Sequence, residues 1–96
     1  MNIAVCDSGG WLVAFARMDG AMWAGAYGSQ GKAVASAATG RNSGELQERA
    51  DASIWRGIQA AEGGHMILSL GAVPIFLDGT VIGACGVGDG SVGELG

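Results

Sequence analysis

Apolar residues in this 96-residue chain follow two arrangements, short runs separated by glycine-containing turns and one longer helical repeat. Near the start, residues 3–6 and 11–16 are apolar runs joined by Asp-Ser-Gly-Gly, which predicts a β-hairpin. Residues 73–77 and 80–87 form a second such pair, joined by Asp78-Gly79, a strong hairpin signal. A shorter strand is predicted around residues 65–69, just before this second hairpin.

The spacing of apolar residues between the hairpins is that of a helix. From Ala21 to Thr39 they recur at i, i+3, i+4 and i+7, and Gly40 is a stop signal. The predicted inward face consists of Trp23, Ala26, Tyr27, Gln30, Ala33, Val34, Ala37 and Ala38. Asp19 is a candidate N-cap, and a second helix is predicted from about Gly44 to Ala61 with Ser43 as its N-cap. The order ββ-α-α-βββ predicts an α+β domain with a mostly antiparallel sheet.

The chain is long enough for one domain, which would span residues 1–96. Its composition is unusually apolar for a domain of this size. It is 49% hydrophobic and 15% charged, whereas an average domain is roughly 25% charged. We therefore expect part of the apolar surface to face another subunit, or flanking segments to be missing. Ser91 and Glu94 have the spacing of a capping box, which predicts a helix beginning at the very end.

Charge and targeting features exclude several classes of partner. The net charge is −4 and the five basic residues form no cluster, which argues against nucleic acid and against an anionic membrane surface. The longest mostly apolar stretch, residues 65–77, is shorter than the roughly 20 residues that a bilayer requires. No secretory signal is visible, so a cytoplasmic location is expected. Cys6 and Cys85 lie in apolar runs and are expected to be buried free thiols.

Three separated segments resemble one known family: V-C-D-S-G-G-W-L-V-A-F-A-R-M-D-G-A, Q-G-K-A-V-A-S-A-A-T-G-R and V-P-I-F-L-D-G-T-V-I-G-A-C-G-V. They are similar to the GlcG/HbpS-like "haem-degrading" domain family, which includes the C-terminal domain of PduO-type proteins. The resemblance implies a profilin-like fold with a five-stranded antiparallel sheet flanked by helices, and assembly into homo-oligomers. It implies haem or a small organic acid as the ligand. Family members usually carry an extra helix at each end, which this sequence lacks.

A stripe of small and polar residues lies opposite Trp23 and Tyr27 on the predicted helix: Gly25, Gly28, Ser29, Lys32 and Ser36. Each glycine costs about 1 kcal/mol relative to alanine inside a helix, so the stripe needs an explanation. One interpretation is close packing against another helix at a subunit interface. The other is a ligand lying along the helix, with Lys32 pairing its carboxylate or propionate.

Two arginines are further candidates for ligand binding. Arg17, at the end of its strand, either faces water or makes a bidentate contact to a carboxylate of a ligand or protein. Arg41 lies between the helices, where it either belongs to an exposed capping turn or assists an anion at the following helix start. The predicted ligand site therefore consists of Arg17, Gly25, Gly28, Lys32 and Arg41.

His65 is the only histidine and one candidate axial ligand for haem iron, beside Met18, Met22, Met66, Tyr27 and the two cysteines. A lone histidine next to Gly-Gly is more often structural or exposed. Residues 88–93 fit G-x-G-x-x-G, but the chain ends before the rest of a dinucleotide-binding unit, so we reject nucleotide binding. No catalytic triad, carboxylate dyad or multi-residue metal site can be assigned.

Three functions are consistent with these features. The first is a small-molecule binding module, with haem or a small organic acid bound at a subunit interface. The second is a cofactor-independent enzyme acting on a small hydroxy or oxo acid. The third is an oligomeric structural domain without a ligand, whose glycine stripe serves only packing.

Overall fold

A four-stranded antiparallel sheet with one long helix across it forms the framework of the protein. The structure, a computed structural model, describes residues 1–88. The strands are β1 (Asn2–Asp7), β2 (Leu12–Arg17), β3 (Ala72–Leu77) and β4 (Thr80–Gly88). The helices are α1 (Ala24–Thr39), a 3₁₀ helix (Ser43–Arg49) and α2 (Ser53–Ala61). The strand order is β2-β1-β4-β3, with every neighbouring pair antiparallel. No helix within residues 1–88 is long and apolar enough to cross a membrane.

Both predicted hairpins are confirmed, because each turn carries residues suited to its geometry. Asp78 and Gly79 both have positive φ, 51° and 79°, as a two-residue hairpin turn requires. In the first hairpin, one carboxylate oxygen of Asp7 accepts hydrogen bonds from the N–H groups of Gly9 and Trp11, at 2.9 and 3.0 Å. Pro74 lies in β3 at the sheet edge, where a missing donor is tolerated.

The prediction of a fifth strand at residues 65–69 is wrong for the described part of the chain. This segment runs along α1 instead of joining the sheet, and the N–H of Ile67 donates to the carbonyl of Gly31 at 3.0 Å. A Cβ on Gly31 would lie only 2.5 Å from Cγ1 of Ile67, so the segment sits against the helix backbone itself. The predicted order ββ-α-α-βββ is therefore corrected to four strands, with a 3₁₀ helix inserted between the two α-helices.

The second predicted helix, Gly44–Ala61, is two shorter helices separated by an extended Ala52. Ser43 does not cap it, because its hydroxyl accepts a hydrogen bond from the N–H of Ala72 at 2.9 Å. The Gln47 side chain likewise accepts one from the N–H of Leu70 at 3.2 Å. Leu46 is completely buried between these contacts. The 3₁₀ segment is thus held in place by these hydrogen bonds to the residues at and before the start of β3, and it does not continue as one long helix.

The first predicted helix ends as expected but begins three residues late. Gly40 follows it and donates its N–H to the carbonyl of Ser36 at 2.9 Å. At the start, the N-cap is Trp23, without a side-chain cap hydrogen bond, and residues 21–22 are not helical. The prediction of Asp19 as N-cap is therefore wrong, since it lies in an exposed turn several residues before the helix.

Of the predicted inward face of α1, Ala33 and Ala37 are buried but the large side chains are not, because the small-residue stripe is the side that packs. Trp23 and Tyr27 are 66% and 69% exposed. The buried positions are Gly25, Gly28, Ser29, Gly31, Lys32, Ala33, Ala35, Ser36 and Ala37. A Cβ on Gly86 of β4 would collide with the carbonyl oxygen of Ser29. The close neighbour that the stripe serves is therefore the sheet of the same chain, not another helix.

The core around this contact is built from small side chains. Cys6, Ala33, Ala37 and Ala84 form one buried cluster between sheet and helix. Such side chains allow the two layers to approach closely but bury little apolar area each. The large apolar side chains consequently remain at the surface, as the composition indicated.

The first prediction tests this close approach. Gly86→Ala is expected to lower the free energy of unfolding by about 1–3 kcal/mol, because its methyl group must displace helix backbone rather than a flexible side chain. Gly57→Ala is the matched control, since the nearest described atoms outside its own helix lie beyond 4 Å. It should raise stability by about 0.5–1 kcal/mol through helix propensity alone. Urea unfolding measures both, and an unchanged midpoint for Gly86→Ala would contradict the close contact.

Candidate functional site

A cleft of about 690 Å³ opens between three parts of the chain. They are the β1–β2 hairpin, the exposed side of α1 and the connection at residues 62–67 that follows α2. This volume falls within the range of about 300–1,000 Å³ that is typical of small-molecule sites. The cleft is therefore the candidate functional site in the described part of the chain.

The floor of the cleft is apolar and made of small residues. Ala4, Cys6 and Ala33 are buried there, and their short side chains leave the space above them open. Val34 and Ile67 add branched apolar side chains to the walls. A ligand in this cleft would meet mostly carbon on its inner side.

Two exposed aromatic residues flank the opening. Trp11, from the hairpin, is 77% exposed, and Tyr27, from α1, is 69% exposed. The ring of Trp23 meets Tyr27 edge to face, with centroids 6.0 Å apart and planes at 79°. Large exposed aromatic rings beside an apolar cleft provide surfaces on which a flat ligand can stack.

The polar groups of the cleft lie on the connection after α2 and on α1. Glu62 Oε1 accepts a hydrogen bond from the N–H of Met66 at 2.9 Å. His65 Nδ1 lies 2.8 Å from the backbone carbonyl of Glu62 and 3.6 Å from its Oε2. Gln30 contributes an amide from the helix. None of the residues lining the cleft is an arginine or a lysine.

Two glycines explain how His65 reaches the cleft. Gly63 and Gly64 have φ values of 88° and 78°, a left-handed conformation that ends α2 and turns the chain back toward α1. The N–H of Gly64 donates to the carbonyl of Gln59 at 3.0 Å, which ties this turn to the helix. The sequence Gly-Gly-His therefore sets the direction of the histidine as well as the end of the helix.

Comparison with known proteins identifies the family. The model of the HbpS-like family, described as "Haem degrading protein HbpS-like", matches residues 1–94. The chain belongs to the HbpS-like family. Protein GlcG of Escherichia coli K12 is 39% identical over 88 residues, which cover 91% of this chain and 63% of GlcG. This HbpS-like domain thus spans a little under two thirds of the length of that relative, and the resemblance inferred from the three segments is confirmed.

Solved structures share the fold of this HbpS-like domain. Klebsiella pneumoniae protein ORFY has a TM-score of 0.82 at 26% identity, covering 97% of this chain and 65% of ORFY. PduOC, whose crystal structure is a haem complex, has a TM-score of 0.82 at 22% identity, covering 97% of this chain and 68% of PduOC. The antiparallel sheet with its helices is therefore the architecture of known relatives.

The five residues predicted to bind a ligand lie elsewhere in the domain. Arg17 is exposed at the end of β2, opposite Asn2 of β1. Gly25 and Gly28 are buried in the stripe of α1 that faces the sheet. None of the five is among the residues that line the cleft. Their role in ligand binding stays a prediction.

Lys32 and Arg41 occupy opposite environments. Lys32 is 2% exposed, and its Nζ lies 2.7 Å from the point where a Cβ of Gly71 would sit, so its ammonium group is inside the domain. Arg41 is exposed, with its guanidinium 3.8 Å from a carboxylate oxygen of Glu45. An ion pair with both side chains 55% exposed contributes little to stability. The backbone carbonyl of Arg41 accepts a 2.6 Å hydrogen bond from the Ser36 hydroxyl, which anchors the turn.

Sequence reasoning missed the cleft because it placed Tyr27 and Gln30 on the inward face of the helix. The glycine and serine stripe was the available signal. Small residues on one side of a helix permit close backbone approach, so the opposite side is the one left open. The sequence predicts Trp11 only as part of a hairpin, since an isolated aromatic residue beside Gly-Gly carries no specific pattern.

Cys6 lies at the floor of the cleft as a neutral thiol. Burial raises the pKa of Cys6, and the nearby carboxylate of Asp7 acts in the same direction, while a hydrogen bond from the Ala84 backbone partly opposes them. The thiolate is the form that attacks electrophiles and binds metals. Cys6 is therefore a poor nucleophile and a poor metal ligand near neutral pH.

The second prediction concerns these thiols. In the folded monomer at pH 8, iodoacetamide should alkylate the half-buried Cys85 faster than the buried Cys6, because Cys6 is less accessible and less ionised. Raising the pH should accelerate the reaction of Cys6, since its pKa lies above the ordinary value. Peptide mass mapping over time gives both rates, and urea-unfolded protein, in which the rates should converge, is the control. Equal rates in the folded protein would show that Cys6 is not protected.

Proposed function

We propose that this HbpS-like domain is a binding module for haem, and that the cleft beside α1 holds the ring. The observation that carries the proposal is the shape and chemistry of the cleft: about 690 Å³, with an apolar floor and two exposed aromatic side chains at its opening. That PduOC, which has the same fold, was crystallised as a haem complex supports the choice of haem among flat ligands.

The residues present fit a large planar ring better than a small organic acid. A porphyrin has two apolar faces, which suit the small apolar floor and the rings of Trp11 and Tyr27. Its carboxylates can stay in water at the open side of the cleft. A small acid depends on pairing its charge, but the cleft is lined by Glu62 and lacks arginine and lysine. When bound, haem would supply redox and ligand-binding chemistry at iron, while the residues named here would hold and orient it.

Five residues that the sequence predicts to bind a ligand would do so only if the ligand extends beyond the cleft. They are Arg17, Gly25, Gly28, Lys32 and Arg41. Arg17 and Arg41 are the exposed charges of this set and would pair with a carboxylate. Lys32 is 2% exposed, so a ligand could not reach it without a change in the surrounding structure. Substituting Arg17 with alanine would test whether this set takes part in binding at all.

The third prediction tests the cleft with hemin. The purified domain should give a saturable change in the Soret band, and Trp11→Ala should weaken binding about tenfold, since one aromatic stacking contact contributes about 1–1.5 kcal/mol. Phe76→Ala is the matched control, because this ring is also exposed, at 53%, but does not line the cleft.

Two results would contradict the proposal. If the folded domain gives no saturable Soret change, haem is not its ligand, and a ligand-free structural role gains support. If Trp11→Ala and Phe76→Ala both bind like the unsubstituted protein, haem binds outside the cleft. Circular dichroism of each variant establishes that it is folded before the titrations are compared.

We also propose that the domain associates with a second copy through the sheet face opposite α1. Paired residues on antiparallel strands share a face, and this one is apolar apart from Asp7 at the end of β1. Its residues are Ile3, Val5, Ala14, Ala16, Val73, Ile75, Cys85 and Val87. Val73 and Ile75 are 50% and 36% exposed in the single chain. A continuous apolar surface of this kind is typical of protein–protein interfaces.

The fourth prediction is that light scattering gives a mass above the 9.5 kDa of one chain. Val73→Glu should reduce it to the monomer, because a charge would be buried at the interface. Ile54→Glu, on α2, is the control, since Ile54 is similarly apolar and 69% exposed but outside the sheet. If the unsubstituted domain is a monomer, the proposed self-association is overturned. The additional chain segments that the relatives possess would then be the candidates for covering this face.

A further inference from the structure

We infer that Nε2 of His65 is the protein ligand to the haem iron in the cleft. The inference rests on the proposed function and adds to it the atom that binds the metal. It depends on three features of the described residues: the hydrogen bond on the other ring nitrogen, the position of the ring at the cleft, and the poor suitability of the alternative donors.

The hydrogen bond on Nδ1 determines which nitrogen is available. Nδ1 lies 2.8 Å from the backbone carbonyl of Glu62, which can only accept a hydrogen bond. In the neutral imidazole, the proton therefore resides on Nδ1, and Nε2 carries the lone pair. Histidines that bind metals commonly donate their second N–H to a carbonyl or carboxylate in this way, which fixes the ring and increases its basicity.

The surroundings of Glu62 strengthen this arrangement. Its Oε1 is held by the N–H of Met66 at 2.9 Å, and its Oε2 lies 3.6 Å from Nδ1 of His65. The negative charge thus sits on the side of the ring away from Nε2 and favours electron donation through it. The imidazole itself is 76% exposed and lines the cleft, so Nε2 can be reached without moving the backbone.

The other candidate iron ligands are less suitable. Cys6 lies at the cleft floor, but its pKa is raised by burial, so it remains a neutral thiol. Met66 is half-buried and packs against the cluster that contains Leu46. Met18 and Met22 do not line the cleft. Tyr27 lines it, but its ring is engaged edge to face with that of Trp23.

The turn before His65 holds the ring in place. Gly63 and Gly64 adopt the left-handed conformation, and a Cβ on Gly63 would lie 3.4 Å from Cε1 of the imidazole. The constraint at Gly63 is its φ of 88°, which residues other than glycine rarely adopt. Ile67, two residues later, is bound to the carbonyl of Gly31, so both ends of this short segment are fixed to helices.

The fifth prediction is spectroscopic. The ferrous complex of the unsubstituted domain should show an iron–histidine stretching band by resonance Raman, and the His65→Ala complex should lack it. Adding imidazole should restore a nitrogen-ligated spectrum, because the substitution leaves space where the ring was. Tyr27→Phe is the control, since it keeps the aromatic surface but removes the phenol oxygen from the cleft, and the band should persist.

The outcomes separate this inference from the proposed function. If hemin binds to the unsubstituted domain and to His65→Ala with the same spectrum, His65 is not the iron ligand, although haem binding stands. A band that disappears in Tyr27→Phe and survives in His65→Ala would assign the ligand to the tyrosine and also overturn the inference. If no form of the folded domain binds hemin, the proposed function fails and the inference with it.

Discussion

The backbone contact between α1 and β4 determines most of this structure. The carbonyl of Ser29 lies where a Cβ of Gly86 would be, so β4 can carry no side chain at that point unless backbone moves. Layers this close accept only small side chains, which is why alanines, serines, glycines and Cys6 form the centre of the domain. Such a core buries little apolar area per residue, and the larger apolar side chains remain at the surface. The close contact between α1 and β4 thus explains why a chain with a high hydrophobic content has a core of small side chains.

The orientation of the helix follows from the same contact and creates the cleft. With its small residues against the sheet, α1 presents Tyr27, Gln30 and Val34 toward the hairpin and the segment after α2. Gly31 permits a second close approach, because Ile67 occupies the space that a Cβ would need. The helix is therefore enclosed by backbone on two sides and open on the third. The close contacts at Gly86 and Gly31 therefore account for the cleft on the third side.

Local features were predictable from sequence, and features that depend on tertiary contacts were not. The hairpins at Asp7–Trp11 and Asp78-Gly79 are encoded in a few adjacent residues, and each was recognised. The helical repeat was recognised as well, but periodicity alone does not decide which side packs when large apolar residues face a stripe of small ones. Residues 65–69 look like a strand because they are apolar, yet they bond to Gly31 of α1. Similarly, Ser43 and Gln47 accept hydrogen bonds from Ala72 and Leu70, tertiary contacts that no local pattern encodes.

The candidate site shows the same division between local pattern and tertiary arrangement. Charge drew attention to Arg17 and Lys32, since isolated cations in an apolar sequence suggest a bound anion. In the folded chain, one lies in solvent at a strand end and the other is enclosed by the domain. The cleft instead combines residues that appear unremarkable in isolation: an exposed tryptophan, a small apolar floor and a lone histidine after two glycines. The histidine is distinguished by the carbonyl of Glu62, which engages Nδ1 and leaves Nε2 as the nitrogen that we propose to bind iron. That relation joins two residues three positions apart, and the turn at Gly63 and Gly64 brings them together.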